Sequence, residues 1–162
     1  MKLPILCSVI IIGLVLGCAA MADEKSWVLL EGEQAALLIH QCSRESPEAI
    51  QDVWMPAPLD IEKIEAQLSS IMQLISTQCC GVGGRVDDIS RYRRQYAGFI
   101  IENRKLIYIN AFSKLSNHSD WREQPVMVCE GGRDYWGALY DPATGIFFDL
   151  AFNAKNESDE RQ

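Results

Sequence analysis

The longest periodic pattern in the chain runs from Pro58 to Ser76, where Ile61, Ile64, Leu68, Ile71, Met72 and Ile75 recur every three or four positions. That spacing places one apolar stripe along a helix, so a helix is predicted over residues 58–76. Pro58 suits its first position, and Asp60 and Glu62 complement the positive end of the helix dipole. After Gln78, the run Cys79-Cys80-Gly81 with Gly83 and Gly84 removes helical propensity and lets the chain turn. Downstream the period changes to two. Residues 92–102 and 105–112 alternate and are rich in aromatic and β-branched side chains, which predicts a hairpin turning at Asn103-Arg104. A further strand is expected over residues 135–140, joined by Asp141-Pro142-Ala143-Thr144-Gly145 to another over 146–152.

The pattern is weaker elsewhere. Residues 27–30 read as a short strand, 33–41 as two helical turns, 43–57 as a loop holding Trp54, and 113–125 as a long polar loop. The expected architecture is α+β, with one long helix packed on one face of a four-stranded antiparallel β-meander. This element order resembles the cystatin-like arrangement.

The N-terminus has its own pattern: Lys2, an almost unbroken apolar run from Leu3 to Leu16, then Gly17 and Cys18. A run that short falls below the roughly 20 apolar residues of a membrane span and fits an export signal. Leu14-Val15-Leu16-Gly17-Cys18 resembles the lipobox of bacterial lipoproteins, which implies lipidation of Cys18 and a new N-terminus there. With Ala19 rather than Asp beside that cysteine, the resemblance to sorted lipoproteins implies the outer membrane, facing the periplasm. Ala20-Met21-Ala22 offers an alternative cleavage that would release a soluble periplasmic protein. The expected organisation is therefore a signal over 1–17, a tether over 18–26, one domain over 27–155 and a charged tail over 156–162. Removing residues 1–17 leaves 145 of 162, enough for one core, and takes the formal charge from -7 to -8 because only Lys2 is lost. An acidic domain of this kind argues against nucleic acid as a partner.

Of six cysteines, Cys7 and Cys18 belong to the leader and lipidation site, which leaves Cys42, Cys79, Cys80 and Cys129. Joining the adjacent Cys79 and Cys80 would strain disulfide geometry. Cys42 and Cys129 are thus expected either to reach the 79/80 pair or to pair with each other.

The densest local motif is Cys129-Glu130-Gly131-Gly132-Arg133-Asp134-Tyr135-Trp136-Gly137-Ala138-Leu139-Tyr140-Asp141-Pro142. Together with Trp54-Met55-Pro56 ahead of the helix, it resembles small exported proteins of Gram-negative bacteria, a likeness that carries no activity with it. Gly131 and Gly132 permit positive φ, and Gly137 beside Trp136 leaves room for another chain or a ring. A binding groove is one reading of this motif, with Trp54, Tyr135 and Trp136 as contacts if exposed together. A bulged hairpin with its aromatics in the core is the other. Arg91 and Arg93 fall on one strand face and Arg94 on the opposite one, so Arg91 and Arg93 are further binding candidates for carboxylates or an envelope anion.

Catalytic signatures are sparse. His118-Ser119-Asp120 is contiguous rather than a spatial triad, and no nucleophile elbow, zinc-protease helix or Walker loop occurs. His40, Cys42, Cys79 and Cys80 lack zinc-site spacing. No catalytic residue, metal or cofactor is expected. The expected function is that of a non-enzymatic periplasmic lipoprotein, membrane-bound through its N-terminal lipid. It would bind a protein or other envelope component, an inhibitor or immunity protein being one version of this class. A structural or assembly lipoprotein is the second class, and an enzyme built on His118 or His40 the third.

Overall fold

The computed structural model describes residues 25–76 and 83–154. The expected signal, most of the expected tether, Cys79, Cys80 and the charged tail over 156–162 lie outside the described residues. At the centre is a six-stranded sheet: β1 (Trp27–Leu29), β2 (Ile50–Trp54), β3 (Tyr92–Ile101), β4 (Arg104–Ser113), β5 (Tyr135–Asp141) and β6 (Ile146–Phe152). β3 to β6 form an antiparallel meander. β1 and β2 share the outer edge of β3, β1 running parallel along Arg94 to Tyr96 and β2 antiparallel along Gly98 to Ile101.

This mixed sheet replaces the expected four-stranded antiparallel meander and its cystatin-like order. β2 escapes the sequence pattern for a physical reason. It is a short edge strand, bulged between Ile50 and Asp52, with Ile50, Gln51 and Asp52 exposed, so backbone pairing rather than side-chain burial holds it. The hairpin turn also moves by one residue. Ile101 pairs with Arg104, and the two turn residues Glu102 and Asn103 both have positive φ, 49° and 62°, the backbone of the tight turn that best matches strand twist.

The predicted long helix divides. α2 (Pro58–Gln67) is α-helical, and residues Leu68–Gln73 continue as a tighter 3-10 segment. Ser69 and Ser70 are poor helix formers that compete for backbone hydrogen bonds, and they sit where the geometry tightens. Ile61, Ile64, Leu68 and Ile71 remain buried, whereas Ile75 lies beyond the last turn and is 55% exposed. Asp60 accepts a hydrogen bond from the Ala57 N–H at 3.1 Å, closing the first turn behind Pro58.

Alternation then divides the sheet into two faces. On one, Tyr96, Ile107, Ile109, Trp136, Tyr140 and Phe152 pack against α2 and the 3-10 segment. Each large apolar side chain buried there contributes about 1.5–3 kcal/mol. The anchor is an ion pair: Arg94 donates to Glu65 at 2.7 and 2.8 Å and to Ser26 Oγ at 2.6 Å, and the Tyr96 hydroxyl also bonds Glu65. The other face is covered in two parts. Near β2 and β3, α1 (Gly32–Leu38) buries Ala35 and Leu38 against Phe99, Tyr108 and Leu139. Farther along, the β4–β5 connection packs Trp121 and Val126 on Phe112.

Candidate functional site

Between those two coverings the second face is polar. Gln95, Asn110 and Asn153 are each at most 2% exposed and point to this side through strict alternation. Buried amides must be satisfied, and these bond the connection that lies over them. Gln95 donates to the carbonyls of Trp121 and Gln124 at 2.5 and 2.6 Å and accepts from the Val126 N–H at 2.8 Å. Asn110 donates to Gln95 at 3.0 Å and to the Val126 carbonyl at 2.8 Å. Asn153 donates to the carbonyls of Val128 and Glu130, on either side of Cys129, at 2.6 and 3.0 Å.

Cys129 is joined to Cys42, with Cα atoms 4.9 Å apart, so of the expected pairings the two distant cysteines bond each other. The bridge ties the segment after α1 to the β4–β5 connection. Ser43 reinforces the join, because its carbonyl accepts from the Ala154 N–H at 3.0 Å and its hydroxyl reaches the Val128 carbonyl at 3.4 Å.

Two residues past Cys42, Arg44 enters the sheet face with only 5% of its surface exposed. Its Nε donates to the Tyr108 hydroxyl at 3.0 Å, one terminal nitrogen donates to Asn153 Oδ1 at 2.7 Å, and the other donates to Asn110 Oδ1. All three partners are neutral. Among the described residues Arg44 forms no ion pair, unlike the buried Arg94 on the opposite face. Burying a cation without a counter-charge costs several kcal/mol, and oriented amide oxygens offset only part of it. Three of the five guanidinium N–H groups are used in these bonds, and the Tyr108 proton has no acceptor among the described residues.

Gly137 is what lets the pair lie flat on β5. A Cβ there would stand 2.5 Å from the Tyr108 oxygen and 2.9 Å from Arg44 Nε. The room expected beside Trp136 therefore exists and is filled from within the chain. Gly131 has a matching role at the turn before β5, with φ of 100° and the Tyr135 ring where a side chain would be.

Arg44 and Tyr108 form the base of a cleft of about 670 Å3, walled by residues 44–48 on one side and by Gly137, Leu139 and Asp149 on the other. That size lies in the range of small-molecule sites. Glu48 and Asp149 are exposed on its walls. Asp149 sits in an edge-strand bulge of β6 with φ of 52°, and partial desolvation of its carboxyl by the neighbouring wall raises its pKa above the ordinary aspartate value. Ala49, next to Glu48, also has positive φ, 56°. Apart from the hairpin turn, these are the described non-glycine residues in the left-handed region, and both flank the cleft.

The residues singled out in the sequence are dispersed. Trp136 is wholly buried on the α2 face, and Tyr135 faces the opposite way, its hydroxyl donating to Ser116 at 2.9 Å. Trp54 donates from Nε1 to the Phe99 and Leu106 carbonyls at 3.2 and 3.1 Å, at the β2 edge. The three rings therefore form no common surface. Arg91 lies in a 3-10 turn ahead of β3, not on the strand, and is 3.9 Å from Asp134, whereas the Arg93 guanidinium lies 5.5 Å over Trp121. They share no face. His118 packs on Phe112 with ring centroids 5.4 Å apart and bonds the Tyr135 hydroxyl at 3.3 Å, and burial lowers its pKa. Among the described residues no group of three or more histidine, cysteine or carboxylate side chains is arranged to hold a metal.

Arg44, Asn110, Tyr108, Asn153 and Asp149 were missed by sequence reasoning. A lone arginine in a predicted loop and amides at inward strand positions carry no local motif. The available signal was polarity at inward positions of β3 and β4, where Gln95 and Asn110 interrupt an apolar face. The chain matches no protein-family model, no curated protein and no solved structure.

Proposed function

We propose that this protein is a non-enzymatic binding module of the bacterial cell envelope, tethered through Cys18, that engages an envelope component through the cleft above Arg44. The observation that carries this reading is a guanidinium buried without a counter-ion among the described residues, at the base of a preformed cleft. A domain that needed only stability would gain from an apolar residue or a carboxylate partner there. The Cys42–Cys129 bridge supports an oxidising compartment, consistent with the export signal. The ionisable residues lining the cleft are one guanidinium, one phenol and three carboxylates, Glu45, Glu48 and Asp149, which suits recognition by charge and hydrogen bonding.

The test is to produce the full chain in a Gram-negative host, fractionate it, and crosslink intact cells chemically. Wild-type protein is expected in the envelope with a discrete crosslinked product, and Cys18→Ser is expected to leave the membrane fraction. Cytosolic protein with reduced thiols, or envelope protein with no discrete product, contradicts the proposal.

A further inference from the structure

The structure assigns a ligand chemistry to this cleft: a zwitterion that presents a carboxylate to Arg44 and Tyr108 and an ammonium group to Asp149 and Glu48. This inference rests on the cleft being the binding element and adds what it binds. The base is a donor surface, since each terminal nitrogen of Arg44 keeps a second N–H beyond its bond to Asn153 or Asn110, and the Tyr108 hydroxyl accepts from Nε while its own proton is unused. Both side chains are at least nine-tenths buried, at 5% and 3% exposure, so these donors are held in place before any ligand arrives. A carboxylate satisfies a guanidinium with two parallel hydrogen bonds and supplies the missing counter-charge.

The walls have the opposite sign. When ionised, Asp149 and Glu48 accept hydrogen bonds and have none to donate, and strained backbone lies at or beside each: Asp149 itself at φ 52° and Ala49 next to Glu48 at φ 56°. Asn or Gly would occupy such a position in β6 more easily than Asp, and the strain holds the carboxyl on the cleft wall. A cation there answers both carboxylates. Leu139, almost wholly buried, adds an apolar contact to the lining. A group with a carboxylate, a short apolar stem and a distal ammonium meets all three requirements, which describes a basic α-amino acid, free or at the C-terminus of a peptide.

Titration calorimetry on the full chain purified in detergent tests this with L-lysine and the dipeptide alanyl-lysine as probes, against lysinamide, which lacks the carboxylate, and norleucine, which lacks the distal ammonium. Saturable binding is expected for the first two and at least about tenfold weaker binding for each of the others, the loss of one charge-assisted bond. Equal affinity for lysine and alanyl-lysine identifies the free amino acid as sufficient, and tighter dipeptide binding identifies a peptide end. Asp149→Gly, which relieves the strained backbone, should fold with an unchanged or raised Tm and bind at least about tenfold more weakly, and exposed Glu48→Gln should weaken binding in the same direction. No binding of either probe, or binding indifferent to amidation and to both variants, overturns the inference. A crosslinked envelope partner in that case would leave the proposed function standing, so the two failures are distinguishable.

Discussion

At the scale of single residues, the main constraint is that a charged side chain lies flat on a sheet. Gly137→Ala tests that directly, because its methyl group would overlap the Tyr108 oxygen and Arg44 Nε. The expected net cost is about 1–3 kcal/mol, read as a lower midpoint in denaturant, because the overlap outweighs the gain of about 0.5–1 kcal/mol that alanine brings to a strand interior. His118 gives a pH prediction. Its folded pKa is lowered by burial against Phe112 and Tyr135, so the unfolded chain takes up the proton more readily. Stability is therefore complete above the ordinary histidine value of 6.5 and falls as the pH drops through the lower folded value. Unfolding midpoints at pH 7 and pH 5 should differ less in His118→Phe than in the wild type. An equal difference in both proteins would remove His118 as the cause.

At the scale of elements, the coverings of the polar face depend on one covalent link. The Cys42–Cys129 bridge spans 87 positions, and closing a loop of that length contributes about 4–5 kcal/mol through the unfolded chain. Replacing both cysteines by serine should lower stability by that order. It should also raise amide exchange first at residues 43–48 and 126–131, since Arg44 and Asn153 would hold two segments no longer joined. Exchange rising uniformly, α2 included, would show the bridge acting on the whole domain instead. Much at this scale was legible in the sequence. The apolar stripe of α2 is buried from Ile61 to Ile71, and the β3–β4 and β5–β6 pairs run where alternation put them. Its limits have physical causes. β2 is held by backbone bonds to β3 and buries little, and β1 pairs in parallel through a crossover that no local pattern encodes. The site was illegible for a related reason, because Arg44, Asn110 and Asn153 meet across separations of 66 and 109 positions.

At the scale of the whole molecule, the two faces of the sheet treat charge differently. On the α2 face Arg94 is neutralised by Glu65 and locks a helix to the sheet, as a structural ion pair does. On the other face Arg44 is held by neutral groups at the base of an open cleft. The proposed contact surface rests on that asymmetry, which sets one side of the domain apart from the other. Among the described residues no helix is long and apolar enough to cross a membrane. The most direct measurement places a photoreactive residue at Glu48 on the cleft wall or at Glu62 on the exposed side of α2, in the full chain within living cells. The account predicts a discrete envelope adduct from position 48 and none from position 62. An adduct from 62 alone, or from neither position, would contradict it.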